Sequence, residues 1–363
     1  MSAGSLRVSL WRALSGTLPN AEQTLLLRAC LLAGGDSSTA WEDWRAGVAD
    51  PFLALSDTNR WARSLLPLLM SAVSRSGAEL NASTLSYLRA AFVREKLRME
   101  TYRNVRRLVL SSLEAQGLRP IVMKGAAFAE TLYDTAEHRH CHDIDLLIRH
   151  SEARLVLPII EKIGLSAVSS PEGTAHALFI HSSGLPLRAH TRPFLANVYN
   201  PRVEELFGRA KDCMLDGVAA RILCPVDALV HLCGHASSVP GVDALRWVCD
   251  AFLLIGRAPD LDWDQLLERA SAMNVVVPLA LRLDYLAAEF HAQVPAHVSQ
   301  RLQNAAGDAP FSTMRAAFQG TLLSGRQGLK RLTDAAADRR ASAVLAVWAA
   351  DTIARRTLRH LKR

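Results

Sequence analysis

The chain has 363 residues, half of them hydrophobic and 21% charged, with a formal net charge of +7. That length accommodates two or three domains with cores of their own, and the composition is that of an ordinary soluble globular protein. It argues against a membrane-spanning protein, because no apolar run reaches the ~18 residues a spanning helix needs.

The nearest such run, ASAVLAVWAA at 341–350, is short and is followed by Asp351. The N-terminal MSAGSLRVSLWRAL lacks the continuous apolar core of a signal peptide, so a cytoplasmic protein is expected. Cys30, Cys141, Cys213, Cys224, Cys233 and Cys249 form no CxxC pair, a scatter that points to reduced thiols. The modest positive charge favours anionic partners such as nucleotides.

In chain order, residues 1–117 read as an N-terminal helical region. Leu85, Leu88, Phe92, Met99, Tyr102, Val105, Leu108 and Ser112 recur at three-, four- and seven-residue steps, the apolar stripe of a long helix that Gly117 stops. The opposite face carries Arg89, Arg94, Lys96, Arg98, Arg103, Arg106 and Arg107, read as a solvated face rather than a nucleic-acid stripe. Between 118 and 215, RPIVM, DIDLLI, GLSAVSS, HALFIHS and LPLRAHT are short runs bounded by turn residues, hence strands. The helical segments GAAFAETLY and SEARLVLPIIEKIG lie among them, giving a mixed α/β core. Residues 216–363 read as helical again, ending in the basic ARRTLRHLKR.

The chemistry concentrates in IVMKGAAFAETLYDTAEHRHCHDIDLLIRH, residues 121–150. On a strand, Asp143 and Asp145 point the same way while Ile144 turns to the other face. Two such carboxylates form one side of a hard-oxygen site suited to magnesium or manganese, with water and phosphate filling the shell. Lys124 and Gly125 sit at a strand-to-helix turn, where free N–H groups and the helix dipole favour phosphate. Gly125 permits close approach and Lys124 adds a point charge.

His138, His140 and His142 offer a rival metal site, since HxH is a known ligand spacing. The aspartate follows the last histidine, however, and the cluster precedes the strand, which favours a polar loop over the site. His231 and His235, four apart on a helix, have zinc-ligand spacing but no third ligand, and read as a pair touching cleft or core.

The pattern MKGAAFAETLY…HRHCHDIDLLI resembles the uncharacterised nucleotidyltransferase family of the polymerase-β-like superfamily. The family's Lys-Gly turn, helix ending in Tyr, loop Arg and D-I-D-L-L strand fall on Lys124, Gly125, Tyr133, Arg139, Asp143 and Asp145. The similarity runs on through HLCGHA…LRWVCDAFLLI and LDWDQLLERA, covering roughly residues 60 to 290. It implies an α+β fold: a small mixed-sheet nucleotidyltransferase-like core at 118–215 between N- and C-terminal helical regions. It also implies a magnesium-dependent enzyme that moves a nucleoside monophosphate from a nucleoside triphosphate to an acceptor. Asp143 and Asp145 would be catalytic and metal-binding, with Lys124, Gly125 and Arg139 binding nucleotide.

One departure stands out. Where the family carries a third carboxylate before a His-aromatic pair, this chain has Arg188, with His190 kept. Strand geometry puts Arg188 and His190 on one face, and a guanidinium fork suits phosphate oxygens, so both join the expected nucleotide-binding set. The departure brings in one alternative, a catalytically weakened relative that binds nucleotide or a partner, and the histidine cluster brings in another, a metallohydrolase. The acceptor is unreadable; small molecule, peptide and protein remain open, and nothing specific supports nucleic acid.

Overall fold

The long apolar stripe forms the helix that organises the chain. In the computed structural model, which describes Ser15 and residues 18–309 apart from 57–59, 78, 170–175, 195–198 and 239–244, it runs for 33 residues. The segments MSAGSLRVSLWRAL (but for its neighbour Ser15), ASAVLAVWAA and ARRTLRHLKR lie outside the described residues.

Among the described residues from 18 on, five helices precede it: α1 (Ala21–Leu31), α2 (Gly34–Gly47), α3 (Pro51–Leu55), α4 (Arg60–Arg63) and α5 (Leu66–Ser76). The long helix is α6 (Ala82–Glu114), opened by Asn81, whose side chain accepts from the Thr84 N–H. Gly117 follows its last turn at φ +71°, the left-handed stop that glycine adopts cheaply. The early α6 residues Leu88 and Ala91 belong to a core shared with α1–α5. Met99, Tyr102, Val105, Val109 and Leu113 belong to a second core beneath the sheet.

Two details differ from the stripe read in the sequence. Leu108 faces solvent, and Val109 and Leu110 are buried in its place. Arg106, assigned above to a solvated face, is only 1% exposed.

The short apolar runs are strands: β1 (Ile121–Met123), β2 (Ile144–Leu147), β3 (Leu165–Ser169), β4 (His176–His181) and β5 (Pro186–His190). α7 (Lys124–Thr131) and α8 (Ala153–Lys162) lie between them in sequence. After α9 (Val203–Arg209) come β6 (Lys211–Leu215) and β7 (Val218–Ile222). This hairpin falls partly in a stretch read as helical. Its signal is Asp216-Gly217, both at positive φ (+54° and +80°), the two-residue turn that matches strand twist. The sheet therefore continues past residue 215 to 222.

Strand order is β3-β4-β5-β2-β1-β7-β6. β1–β2 is antiparallel, while β2–β5 and β1–β7 are parallel, so the sheet is mixed. Period-two alternation divides its faces. Val122, Ile144, Leu146, Leu187 and Ala189 turn toward the core built with α6, α7 and α8. Met123 and Leu147 belong to the other core, and Asp143, Asp145, Arg188 and His190 share their parity.

The C-terminal helices are α10 (Pro225–Ser238), α11 (Arg246–Arg257), α12 (Trp263–Ala272), α13 (Val276–Phe290) and α14 (Ala296–Asp308). They share one core with the N-terminal helices, Leu26 and Leu27 falling in the same cluster as Leu279 and Leu283. The Thr24 and Tyr285 hydroxyls bond across it at 2.8 Å. None of the six cysteines is bridged. Among the described residues no helix is long and apolar enough to cross a membrane.

Arg106 explains how α6 is tied to the sheet. Its guanidinium donates to Asp216 at 2.6 Å, to Glu130 at 2.8 Å and to the Ala126 carbonyl, linking α6 to α7 and the β6–β7 turn. Arg103 reinforces the cluster through Glu130 and Glu137. Removing one partner from such a buried network leaves charge uncompensated. Arg106→Ala is expected to lose about 3–5 kcal/mol of unfolding free energy, measured by urea denaturation. A loss under about 1 kcal/mol would assign the cluster the small value of an exposed pair.

Candidate active site

Register brings together what sequence separates. Met123 of β1 pairs with Asp145 of β2, which pairs on its other side with Arg188 of β5. The residue after Met123 is Lys124, at φ +52°, a left-handed conformation costing a non-glycine residue about 1–2 kcal/mol. From there its ammonium reaches Asp145 Oδ2 at 3.1 Å. His190 Nε2 donates to Asp145 Oδ1 at 2.5 Å, and Arg188 Nη1 donates to Asp143 Oδ2. Asp143 Oδ1 receives no hydrogen bond from the described residues.

These contacts divide the carboxylates. Burial alone would raise both. At Asp145 the Lys124 charge and the His190 hydrogen bond outweigh burial and hold the group well below the usual range. At Asp143 burial and the neighbouring Asp145 charge prevail over Lys124, Arg188 and Arg246, and its pKa is raised.

One cleft is lined by Lys124, Gly125, Asp143 and Asp145 on the sheet side and by His235, Arg246, Trp247 and Asp250 on the helical side. Arg188 and His190 reach it through their bonds to the two aspartates. α7 starts at the cleft with no side-chain cap, leaving first-turn N–H groups for an anion. A Cβ on Gly125 would stand 3.1 Å from Cys141 Sγ and 3.3 Å from Arg139 Nη1, so the glycine admits this close packing.

Arg139, expected at the nucleotide, is instead committed to the protein. It is buried, donates from Nε and Nη2 to the two Asp250 oxygens at 2.7 Å each, and gives Nη1 to the His140 carbonyl. Tyr133 OH donates to the same Asp250 at 2.8 Å. Arg139 thus fixes α11 against the loop before β2 and lines the cleft without a free fork.

The rings of His140 and His142 lie 6.3 Å apart, but the three histidines of the cluster turn to different partners. His138 stacks obliquely near Phe92, His140 Nδ1 donates to Glu95 at 2.6 Å, and His142 Nδ1 accepts from Arg246 at 2.9 Å. No three His, Cys, Asp or Glu side chains form a metal-holding group among the described residues. Glu95 also accepts from the Cys141 N–H at 3.1 Å. Its signal was an acid inside the apolar stripe of α6, between Phe92 and Met99.

His231 and His235 stack at 5.7 Å. His235 lines the cleft, and His231 is buried behind it, donating from Nε2 to the Pro193 carbonyl at 2.9 Å. The pair touches both cleft and core.

The family model described as uncharacterised nucleotidyltransferase matches residues 54–309. An antigenic nucleotidyltransferase-like protein from Paracoccidioides brasiliensis is a solved structure similar to this chain. It shares 15% identity, covering 55% of this chain and 95% of its own, at a TM-score of 0.37. No curated protein matches.

Burial and the Lys124 charge lower the His231 pKa to about 3, against the hydrogen bond to Pro193. Below ~6.5 the unfolded chain binds a proton that folded His231 refuses. This contribution is therefore complete above that value and declines as pH falls toward 3. His231→Gln is expected to flatten the acid-side decline by about 1.4 kcal/mol per pH unit, read from urea denaturation near pH 7 and pH 5. An unchanged slope would mean that folded His231 takes up the proton.

Proposed function

The chain belongs to the uncharacterised nucleotidyltransferase family, and on that premise we propose that its cleft binds a nucleoside triphosphate and transfers the nucleotidyl group to an acceptor. The observation that carries this is the convergence of Lys124, Asp143, Asp145, Arg188 and His190 beside the uncapped start of α7.

In the transfer, an acceptor nucleophile forms a bond to the α-phosphorus as the bond to the leaving pyrophosphate breaks. Such chemistry is served by positioning and charge neutralisation more than by covalent help. The first-turn N–H groups of α7 and the Lys124 ammonium hold the outer phosphates. Arg188 lies two residues along the β5 face from His190 and offers a guanidinium to a phosphate oxygen when it releases Asp143. His190 keeps Asp145 ionised and oriented. His235, with a pKa pushed well below its ordinary value by burial and by Lys124, is neutral and stands across the cleft from the carboxylates.

The donor set fits one magnesium ion. Two hard carboxylates share a strand face, and Asp143 Oδ1 is unengaged by the described residues. Magnesium bound there supplies neutralisation of phosphate charge. A second ion is disfavoured because Arg188 already holds Asp143.

Triphosphate with magnesium at a hundredfold excess over its Kd is expected to stabilise the wild type by about 2.7 kcal/mol. Asp143→Asn or Asp145→Asn should remove that gain and the transfer of an α-labelled nucleotide. Both variants transferring at the wild-type rate would sink the assignment. Lys124→Ala is expected to weaken triphosphate binding more than monophosphate binding, whereas equal losses would make Lys124 purely structural.

A second reading, a relative that binds nucleotide and transfers slowly, is favoured by the Arg188–Asp143 pair. Here manganese titration counts one tight ion, and Arg188→Glu raises the transfer rate. Two tight ions, or a fast wild-type rate that Arg188→Glu abolishes, would make Arg188 a phosphate clamp in an active enzyme.

A further inference from the structure

Adjoining the active cleft at Lys124 lies a second cavity of about 260 Å³ with its mouth open to solvent. That falls just short of the roughly 300–1,000 Å³ usual for small-molecule sites and suits a slender ligand. Its walls are apolar: Met123 and Phe128 from β1 and α7, Leu223 after β7, and Leu254 from α11. Lys124 is the one residue it shares with the active cleft. The two spaces are therefore adjacent but separately lined.

The charge around this cavity has one sign. Lys124, Lys211 and Arg257 line it, and no carboxylate does. Lys211 is exposed at the start of an edge strand and has no ion-pair partner among the described residues. Arg257 donates to Asp134 at 2.7 Å, in a pair whose side chains are 45% and 75% exposed. Such a pair exchanges readily with solvent or another anion.

An apolar body with a single negative head satisfies both features. A nucleotide would bring several charges against apolar walls, and a cation would face three like charges. We propose that this cavity is a binding site for an amphipathic carboxylate of medium length. Its apolar body lies between α7, β7 and α11, and its head is held by Lys211 and Arg257. The site stands apart from the nucleotide reading and does not depend on it.

The test is calorimetric titration of the full chain with decanoate, decan-1-ol and decyltrimethylammonium as probes. Decanoate is expected to bind saturably at one site, more tightly than the alcohol, with the ammonium weakest. The double variant Lys211→Glu/Arg257→Glu, altered at exposed positions, should lose about tenfold or more in decanoate affinity, as expected when charge-assisted hydrogen bonds are removed. Thr131→Phe, which projects a ring into the cavity from the last turn of α7, should abolish binding. Asp145→Asn should leave decanoate binding intact whether or not nucleotide is turned over, which separates this proposal from the preceding one. Absence of saturable binding, equal affinity for the three probes, or undiminished binding by the charge-reversed variant would overturn it.

Discussion

Asp145 within β2 and Asp143 just before it lie on one face of the sheet, and the surrounding architecture answers their charge. Two carboxylates at that spacing repel each other and are poorly hydrated, so cations must arrive from neighbouring elements. β1 delivers Lys124 because its last residue pairs with Asp145; β5 delivers Arg188 and His190 because it runs parallel to β2 on the other side. Neither cation is close to the aspartates in sequence. The left-handed backbone at Lys124 fits this account: glycine would adopt it at less cost, but glycine has no ammonium to place against Asp145.

A second layer of polar contacts keeps that arrangement in register with the helices. Glu95 holds the loop before β2 through His140 and the Cys141 N–H, while Asp250 holds it through Arg139. The first tie comes from α6 and the second from α11, helices that flank the sheet in sequence. Buried networks of this kind specify a single arrangement when every member is satisfied. Arg139 matters to the cleft in that sense, by fixing the wall on which Trp247 and Asp250 stand.

Much of this was legible because it obeys simple periods. The alternation in DIDLLI put Asp143 and Asp145 on one face, and the same rule joined Arg188 to His190. The hairpin at 211–222 was harder: β6 is largely exposed and lacks an apolar run, and only Asp216-Gly217 announced it. Arg106 was misplaced because helical periodicity reports which residues share a face without revealing what lands on that face. Here the β6–β7 turn brings Asp216 and α7 brings Glu130, and a surface arginine becomes a buried one. The buried tie from Arg139 to Asp250 was invisible for a related reason, since the partners lie more than a hundred residues apart and no local pattern links them. Glu95 left a legible trace as an acid in an apolar stripe, whose meaning depended on the loop it meets.

The charge at position 188 bears directly on the charge balance of the site. With Asp143 and Asp145 ionised and Lys124 and Arg188 cationic, the four groups are formally neutral. An acidic residue at 188 would leave three negative charges against one positive, a deficit of two, which is the charge of one divalent ion. Arg188 therefore carries on the protein a charge difference equal to that of one divalent ion, and it does so against the carboxylate most in need of it, the one whose pKa is raised by burial and by the neighbouring Asp145 charge. A permanent guanidinium neutralises charge at all pH values of interest, and it offers N–H donors to a phosphate oxygen rather than the open coordination positions of a metal ion. Arginine at 188 thus balances the charge of the carboxylates from within the protein, and it does so through the same β2–β5 register that brought the groups together.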